Sequence, residues 1–253
     1  MRFQQKTAIV TGAGQGIGYE ICKQLAREGA QVLLNDLDPI LAQQAAQTIT
    51  EATGGVCLPM PGDSSNTVFI QQMVDMAVAQ FGCLDIAIAN AGITLFGDFF
   101  TYTPEAFSRV MQVNLGGTFF LAQAAANVMK TQLSGGTLLF TSSVTGHQAH
   151  KNLAAYSMSK AAIEMLAKNL VIELSAFNIN VNTLAPGATM TERTQEDTEY
   201  NAVWSKLTPL GRPASVADIS HAALFLVSGH ARHITGQSLI VDGGWTSVSP
   251  NPE

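Results

Sequence analysis

Along this chain, short apolar runs alternate with longer stretches whose apolar positions recur every three or four residues. The first pattern belongs to strands and the second to amphipathic helices. Runs at 7–10, 31–35, 56–60, 84–89, 137–140, 179–184 and 238–241 predict strands. Several are apolar without interruption, which requires cover on both faces, as in a parallel sheet. Helical spacing follows at 19–28, after Asp38-Pro39, at 66–81, from Thr103-Pro104-Glu105 through 119–129, at 153–177 and at 215–227. Asp38, Thr103 and Ser215 are cap residues, and Pro39 and Pro104 suit a first helical position. The alternation runs to the end without linker, repeat or low-complexity tract. It predicts a single α/β domain over 1–253, a doubly wound sheet with helices on both faces.

Four stretches break the pattern. Asn114-Leu115-Gly116-Gly117 puts poor helix formers inside a long helical segment, at about 1 kcal/mol per glycine relative to alanine. They predict a kink, or an opening that aims Asn114 at a site. The segment 153–177 is apolar nearly all round, so it should be covered twice, by the sheet and by another subunit. From 188 to 210 regular patterning fails, as expected of a mobile lid over a pocket, and 247–253 reads as a polar surface tail.

Composition narrows the function. The chain is 47% apolar and only 13% charged, which fits one well-buried core. Its net charge of −6, without a Lys/Arg cluster, argues against nucleic acid or an anionic membrane as partner. Cys22, Cys57 and Cys83 have neither metal-ligand nor redox spacing, which fits a reduced compartment and a cytoplasmic protein. The N-terminus enters a strand at once, leaving no room for a signal peptide, and no apolar run reaches spanning length. His147, His150, His230 and His233 gather no further ligands, so no metal is expected.

Chemistry enters at the strand ends. The first strand runs into a glycine-rich turn and then a helix, where Gly12, Gln15, Gly16, Ile17 and Gly18 would let a diphosphate lie on the helix N-terminus. The spacing is not G-x-G-x-x-G, so context carries the reading. Asp36, followed by Leu37, closes the second strand about twenty residues on, the offset at which an acid accepts from the ribose hydroxyls of NAD. Its charge would repel a 2′-phosphate, and the turn offers Gln15 rather than a cation, so NAD is favoured over NADP. Asp63-Ser64 ends the third strand and would touch adenine or cap the next helix. Asn90-Ala91-Gly92 ends the fourth, and Asn90 would bridge strands or face the ligand. Ser143 follows the fifth. Tyr156 and Lys160, four apart on one helix, share a face, and a fixed ammonium beside a phenol stabilises its phenolate. The pair therefore forms a general acid/base usable near neutral pH.

Taken together, TGAGQGIG at 11–18, Asp36, NAG at 90–92, Asn114, Ser143, YSMSK at 156–160 and PGATMT at 186–191 resemble the short-chain dehydrogenase/reductase family over almost the whole chain. The likeness is nearest to bacterial glucose dehydrogenases and 3-oxoacyl-carrier-protein reductases. It implies a Rossmann fold with seven parallel strands, a homotetramer, and catalytic roles for Asn114, Ser143, Tyr156 and Lys160. Tyr156 would exchange a proton with the substrate oxygen and Ser143 would hold that oxygen. Lys160 would bind the nicotinamide ribose, and Asn114 would anchor a water leading to Lys160. Pro186, Gly187, Thr189 and Thr191 would receive the carboxamide. Ala89 stands where Asn is frequent, and Thr189 where Ile or Val is, so contacts to the nicotinamide are expected to differ from the family pattern.

Three functions compete. A hydride-transferring enzyme would use all four catalytic groups, whereas a nucleotide-sensing protein would have no need of them. A carrier-protein reductase predicts a basic docking patch and a cation near Asp36, which this acidic chain does not clearly offer. The pocket walls at 94–100, 144–150 and 188–210, with His147, Glu192 and Trp204 as substrate-lining candidates and no evident arginine clamp, favour a neutral secondary alcohol, sugar or ketone.

Overall fold

The computed structural model describes residues 1–249, so residues 250–253 of the expected polar tail lie outside the described residues. The first half of the chain winds β1 (Thr7–Val10), α1 (Gly16–Arg27), β2 (Gln31–Asp36), α2 (Pro39–Thr53), β3 (Val56–Pro61), α3 (Thr67–Phe81) and β4 (Ile86–Ala89). Next come α4 (Pro104–Val110), a π-helical turn (Met111–Gly116), α5 (Gly117–Met129), β5 (Gly136–Thr141), α6 (Ala154–Leu174) and β6 (Ile179–Pro186). The last part holds β7 (Thr189–Met190), α7 (Tyr200–Leu207), β8 (Ala214–Ser215), α8 (Val216–Leu226) and β9 (Ser238–Val241).

Seven of these strands form one sheet in the order β3-β2-β1-β4-β5-β6-β9, parallel throughout. Alternate residues of each strand feed two cores. Ala8, Val10, Val32 and Leu34 pack with α1, α2 and α8, while Ile9, Leu33, Leu138 and Phe140 pack with α3, α5 and α6. The chain order reverses between β1 and β4, and a crevice opens beyond the strand ends at such a switch point. A Cβ placed on Gly12, just past β1, would stand 2.7 Å from the Ala91 Cα, just past β4. Only glycine permits that approach, and its φ of 59° is one that L side chains rarely adopt.

Helix starts follow the expected chemistry in part. Asp38 accepts from the Ile40 and Leu41 amides, and Asn66 from those of Val68 and Phe69. It is thus Asn66, not Asp63, that caps α3. At α8, Ser215 and Asp218 form a reciprocal capping box. No side chain caps α1, and its first turn carries no acid.

Several boundaries differ from the reading of the sequence. β4 begins at Ile86, because the Leu84 amide is taken by the Gln132 side chain, while the Asp85 carboxylate accepts from Lys6 Nζ and the Thr7 amide. The glycines at 116 and 117 do not break the helix. It widens into the π turn and continues, a local change of winding often found at functional sites. The 188–210 segment is more regular than its patterning predicts. β7 pairs with β8, and α7 is a two-turn helix whose Tyr200 and Trp204 rings sit 6.0 Å apart.

Candidate active site

A cleft of about 460 Å³ lies at the switch point, and most residues expected at a site line it. Its end beside α1 and β2 holds Gly12, Gln15, Gly16, Ile17, Gly18, Asp36, Leu37, Asp63 and Ser64. Asn90, Ala91, Gly92, Ser143, Tyr156, Lys160, Pro186, Gly187, Thr189 and Thr191 continue it.

The end beside α1 has features that suit an anion and a ligand bearing hydroxyls. The first-turn amides of a helix have no intrahelical acceptor, no side chain caps those of α1, and such a terminus attracts phosphate. Gly16, at φ 65°, opens the approach, and a Cβ on Gly18 would meet Asn90 Nδ2 at 2.6 Å. Asp36 is held at the rim by the Gly14 amide at 2.9 Å on Oδ2 and the Asp38 amide at 3.2 Å on Oδ1. Asp63 accepts from the Ser65 amide and hydroxyl and lies 3.8 Å from Arg109 Nη1. Burial pushes its carboxyl up, but Ser65 and Arg109 outweigh that and hold it below the usual range. Asn90 is chiefly a strap. Its Nδ2 donates to the carbonyls of Thr11 and Gly12, and its Oδ1 accepts from Thr141 Oγ1.

At the other end α6 presents Tyr156 and Lys160, with the ammonium 5.5 Å from the Tyr156 ring centroid. Lys160 is buried, and its Nζ donates to the Thr141 carbonyl at 2.7 Å. Burial lowers its pKa, and the charge of a Tyr156 phenolate works against that shift. Ser143 Oγ accepts from the amide and the hydroxyl of Thr145, which turns the chain just beyond β5. Asn114 is fully buried in the π turn. Its Oδ1 accepts from the Ile93 amide, and its Nδ2 donates to the Ile93 carbonyl and to Ser159 Oγ. A Cβ on Gly92 would lie 3.3 Å from Lys160 Nζ and 3.4 Å from Asn114 Oδ1, so glycine keeps the space between those two groups open.

Of the three residues expected to line the substrate pocket, Glu192 lines the cleft, whereas His147 and Trp204 do not. His147 turns away from the cleft, its Nε2 lying 2.8 Å from Glu164 Oε1 and 3.3 Å from Ser238 Oγ. The partly buried Glu164 carboxylate draws it there. Trp204 packs edge-on to Trp245, with ring centroids 5.2 Å apart, because an indole gains more from that apolar partner than from the open cleft. Glu192 lines the cleft beside the start of α1: its Oε2 would be 3.7 Å from a Cβ on Gly16, drawn toward the positive end of that helix.

The cleft also holds groups that the sequence did not announce. Arg109 and Arg193 both line it, so it contains cations after all. Arg109 precedes Val113 by one helical turn and shares its face, a spacing from which it was legible once Asn114 had been singled out. Tyr200 reaches in from α7, its hydroxyl accepting from the Thr189 amide at 3.2 Å. Nothing in the irregular patterning around 200 signalled that bond. Among the described residues, no group of three or more His, Cys, Asp or Glu is placed to hold a metal, and no helix is long and apolar enough to cross a membrane.

Comparison with known proteins places this architecture. The profile of a family described as enoyl-(acyl carrier protein) reductase matches residues 12–246. A 3α-hydroxysteroid dehydrogenase of Mediterraneibacter gnavus is 36% identical over 96% of this chain and 98% of its own length. An L-rhamnose 1-dehydrogenase (NAD(P)(+)) of Azotobacter vinelandii is 33% identical over 94% and 96%. The crystal structure of a short-chain type dehydrogenase/reductase from Mycobacterium marinum superposes with a TM-score of 0.91 at 34% identity, covering 96% of each chain. With its parallel sheet, its switch-point cleft and these relatives along nearly its full length, the chain belongs to the short-chain dehydrogenase/reductase family of nicotinamide-dependent oxidoreductases.

Proposed function

We propose that the chain is an NAD(H)-dependent oxidoreductase that transfers a hydride between nicotinamide and the carbinol or carbonyl carbon of a neutral secondary alcohol, sugar or ketone. The observation that carries this reading is that Ser143, Tyr156 and Lys160 line one continuous cleft with the uncapped start of α1 and with Asp36. In it, Tyr156 is the general acid/base at the substrate oxygen, and Ser143 donates to that oxygen as charge develops. Lys160 keeps the phenolate accessible by its charge and meets the ribose. Asn114, across the space beside Gly92, is the anchor for a water that returns protons to Lys160. When bound, nicotinamide supplies or accepts the hydride.

Asp36 supports NAD over NADP, since both its oxygens are fixed at the rim by backbone amides and a 2′-phosphate would meet that charge. A neutral substrate is supported by the uncharged Ile93, Thr94, Ser143 and Thr189 at the catalytic end. Relatives acting on a sugar and on a steroid alcohol are in keeping with that class. The exposed Met158, Met165 and Ile172 of α6 and Phe119 and Phe120 of α5 support a homo-oligomer, proposed as a tetramer. The test is NADH formation over a panel of neutral sugars, secondary alcohols and hydroxy acids, with Tyr156→Phe alongside. Turnover by the wild type and none by the variant, which still binds NAD, is the expected result. Equal turnover by both defeats the assignment of Tyr156.

A further inference from the structure

Ser143 stands in a turn that leaves β5 and must be held against α6, because the two hydroxyls proposed to meet one substrate oxygen come from these separate elements. Residues on either side of it are tied to one atom. Ser142 Oγ donates to Glu164 Oε1 at 2.7 Å, and His147 Nε2 lies 2.8 Å from the same oxygen. Ser142 Oγ also lies 3.1 Å from the Lys160 carbonyl. Gly146 makes the approach possible: a Cβ there would stand 3.3 Å from Glu164 Oε1 and 3.2 Å from the Ala161 amide nitrogen.

Glu164 follows Lys160 by four residues, as Lys160 follows Tyr156, so one stripe of one helix carries all three. The Glu164 side chain is only 11% exposed, and a carboxylate that far out of water is costly unless fully hydrogen-bonded. Packing does not ask for it, since α6 seats itself through Ala155, Ile163 and Ala167. Nor does the proposed chemistry use a carboxylate two turns beyond Tyr156.

We infer that Glu164 is a positioning residue that sets the Ser143 hydroxyl relative to Tyr156 by clamping Ser142 and His147, with His147 as the second arm of the clamp. This rests on the proposed roles of Ser143 and Tyr156. Glu164→Ala frees the turn, whereas Glu164→Gln keeps an oxygen that accepts both bonds.

The experiment compares wild type, Glu164→Ala, Glu164→Gln, His147→Ala and Tyr156→Phe. NAD is used with L-rhamnose, a 3α-hydroxysteroid and simple secondary alcohols as probes, and amide hydrogen exchange is followed over 142–150. A displacement of about 1 Å costs on the order of 100-fold in rate, so Glu164→Ala should lower kcat by about 10- to 100-fold with KM within about two-fold. Exchange over the turn should quicken by about ten-fold, with Glu164→Gln near wild type in both and His147→Ala intermediate. Wild-type kcat in Glu164→Ala, a rise in KM alone, or unchanged exchange overturns the inference. If Glu164→Ala does not fold, His147→Ala decides by the same criteria. Turnover retained by Tyr156→Phe defeats the reading of the site itself, whatever Glu164 does. If no probe turns over, exchange decides: a loosened turn supports the clamp and an unchanged one overturns it.

Discussion

Gly12 and Ala91 touch across the switch point, so closely that a methyl group on the first would lie 2.7 Å from the Cα of the second. Gly12→Ala must push the β1 and β4 loops apart and also hold alanine at a φ of 59°. Strain of this kind is worth about 1–3 kcal/mol. The variant should melt lower and bind ADP-ribose at least about ten-fold more weakly, a factor that corresponds to about 1.4 kcal/mol. Calorimetry on the same preparation reads both.

The Glu192 carboxylate lies near the anion-attracting end of α1, 3.7 Å from where a Cβ on Gly16 would stand, without bonding its amides. Glu192→Gln should tighten ADP binding by about 3- to 10-fold, in keeping with a helix-terminus interaction of up to about 1 kcal/mol. Adenosine, which lacks phosphate, should bind both proteins alike, and titration calorimetry with the two ligands separates the cases.

Lys160 carries its charge out of water, and burial lowers its pKa. Between that lowered value and the ordinary lysine value, the unfolded chain binds more protons than the folded one, so stability attributable to this residue rises with pH in that window. Lys160→Met should lack that rise. Urea melts of the two proteins at pH 7 and pH 9.5 should show wild type gaining on the variant at the higher pH.

Asp218 is held well below the usual carboxylate range, first by the Arg212 side chain and then by the amide and hydroxyl of Ser215, against a partial burial that pushes it up. A depressed carboxyl contributes stability that is complete above its unfolded value and is lost as pH falls through the folded one. Asp218→Asn should flatten acid unfolding below pH 4. Ser215→Ala should cost about 1 kcal/mol at neutral pH.

Burial pushes the Cys57 thiol up to about 12 and the Cys22 thiol well above its usual value, while Cys83 is only half-buried. A disulfide reagent should label at most one thiol on the native protein and three in guanidinium.

The sheet was legible because its strands are continuous apolar runs, and the shared face of Tyr156 and Lys160 because they sit four apart on a helix. What escaped notice depends on partners distant in sequence. His147 looked like a pocket residue from its place four after Ser143, and only folding brings Glu164 to it. Arg109 and Arg193 were passed over because neither belongs to a cluster, yet the crevice gathers them from α4 and from the segment after β7. The sequence leaves 114–117 open between a kink and an opening that aims Asn114 at a site, since glycine propensity reports the cost of a helix and says nothing of how its winding absorbs that cost.

A helix that starts without a cap leaves its first amides waiting for an acceptor from outside the chain, and α1 starts that way. Whatever anion supplies that acceptor binds the folded form and not the unfolded one, and so subtracts from the unfolded population. The lifetime of this protein against proteases should therefore follow the nucleotide concentration around it, lengthening when dinucleotide is plentiful and shortening when it is scarce.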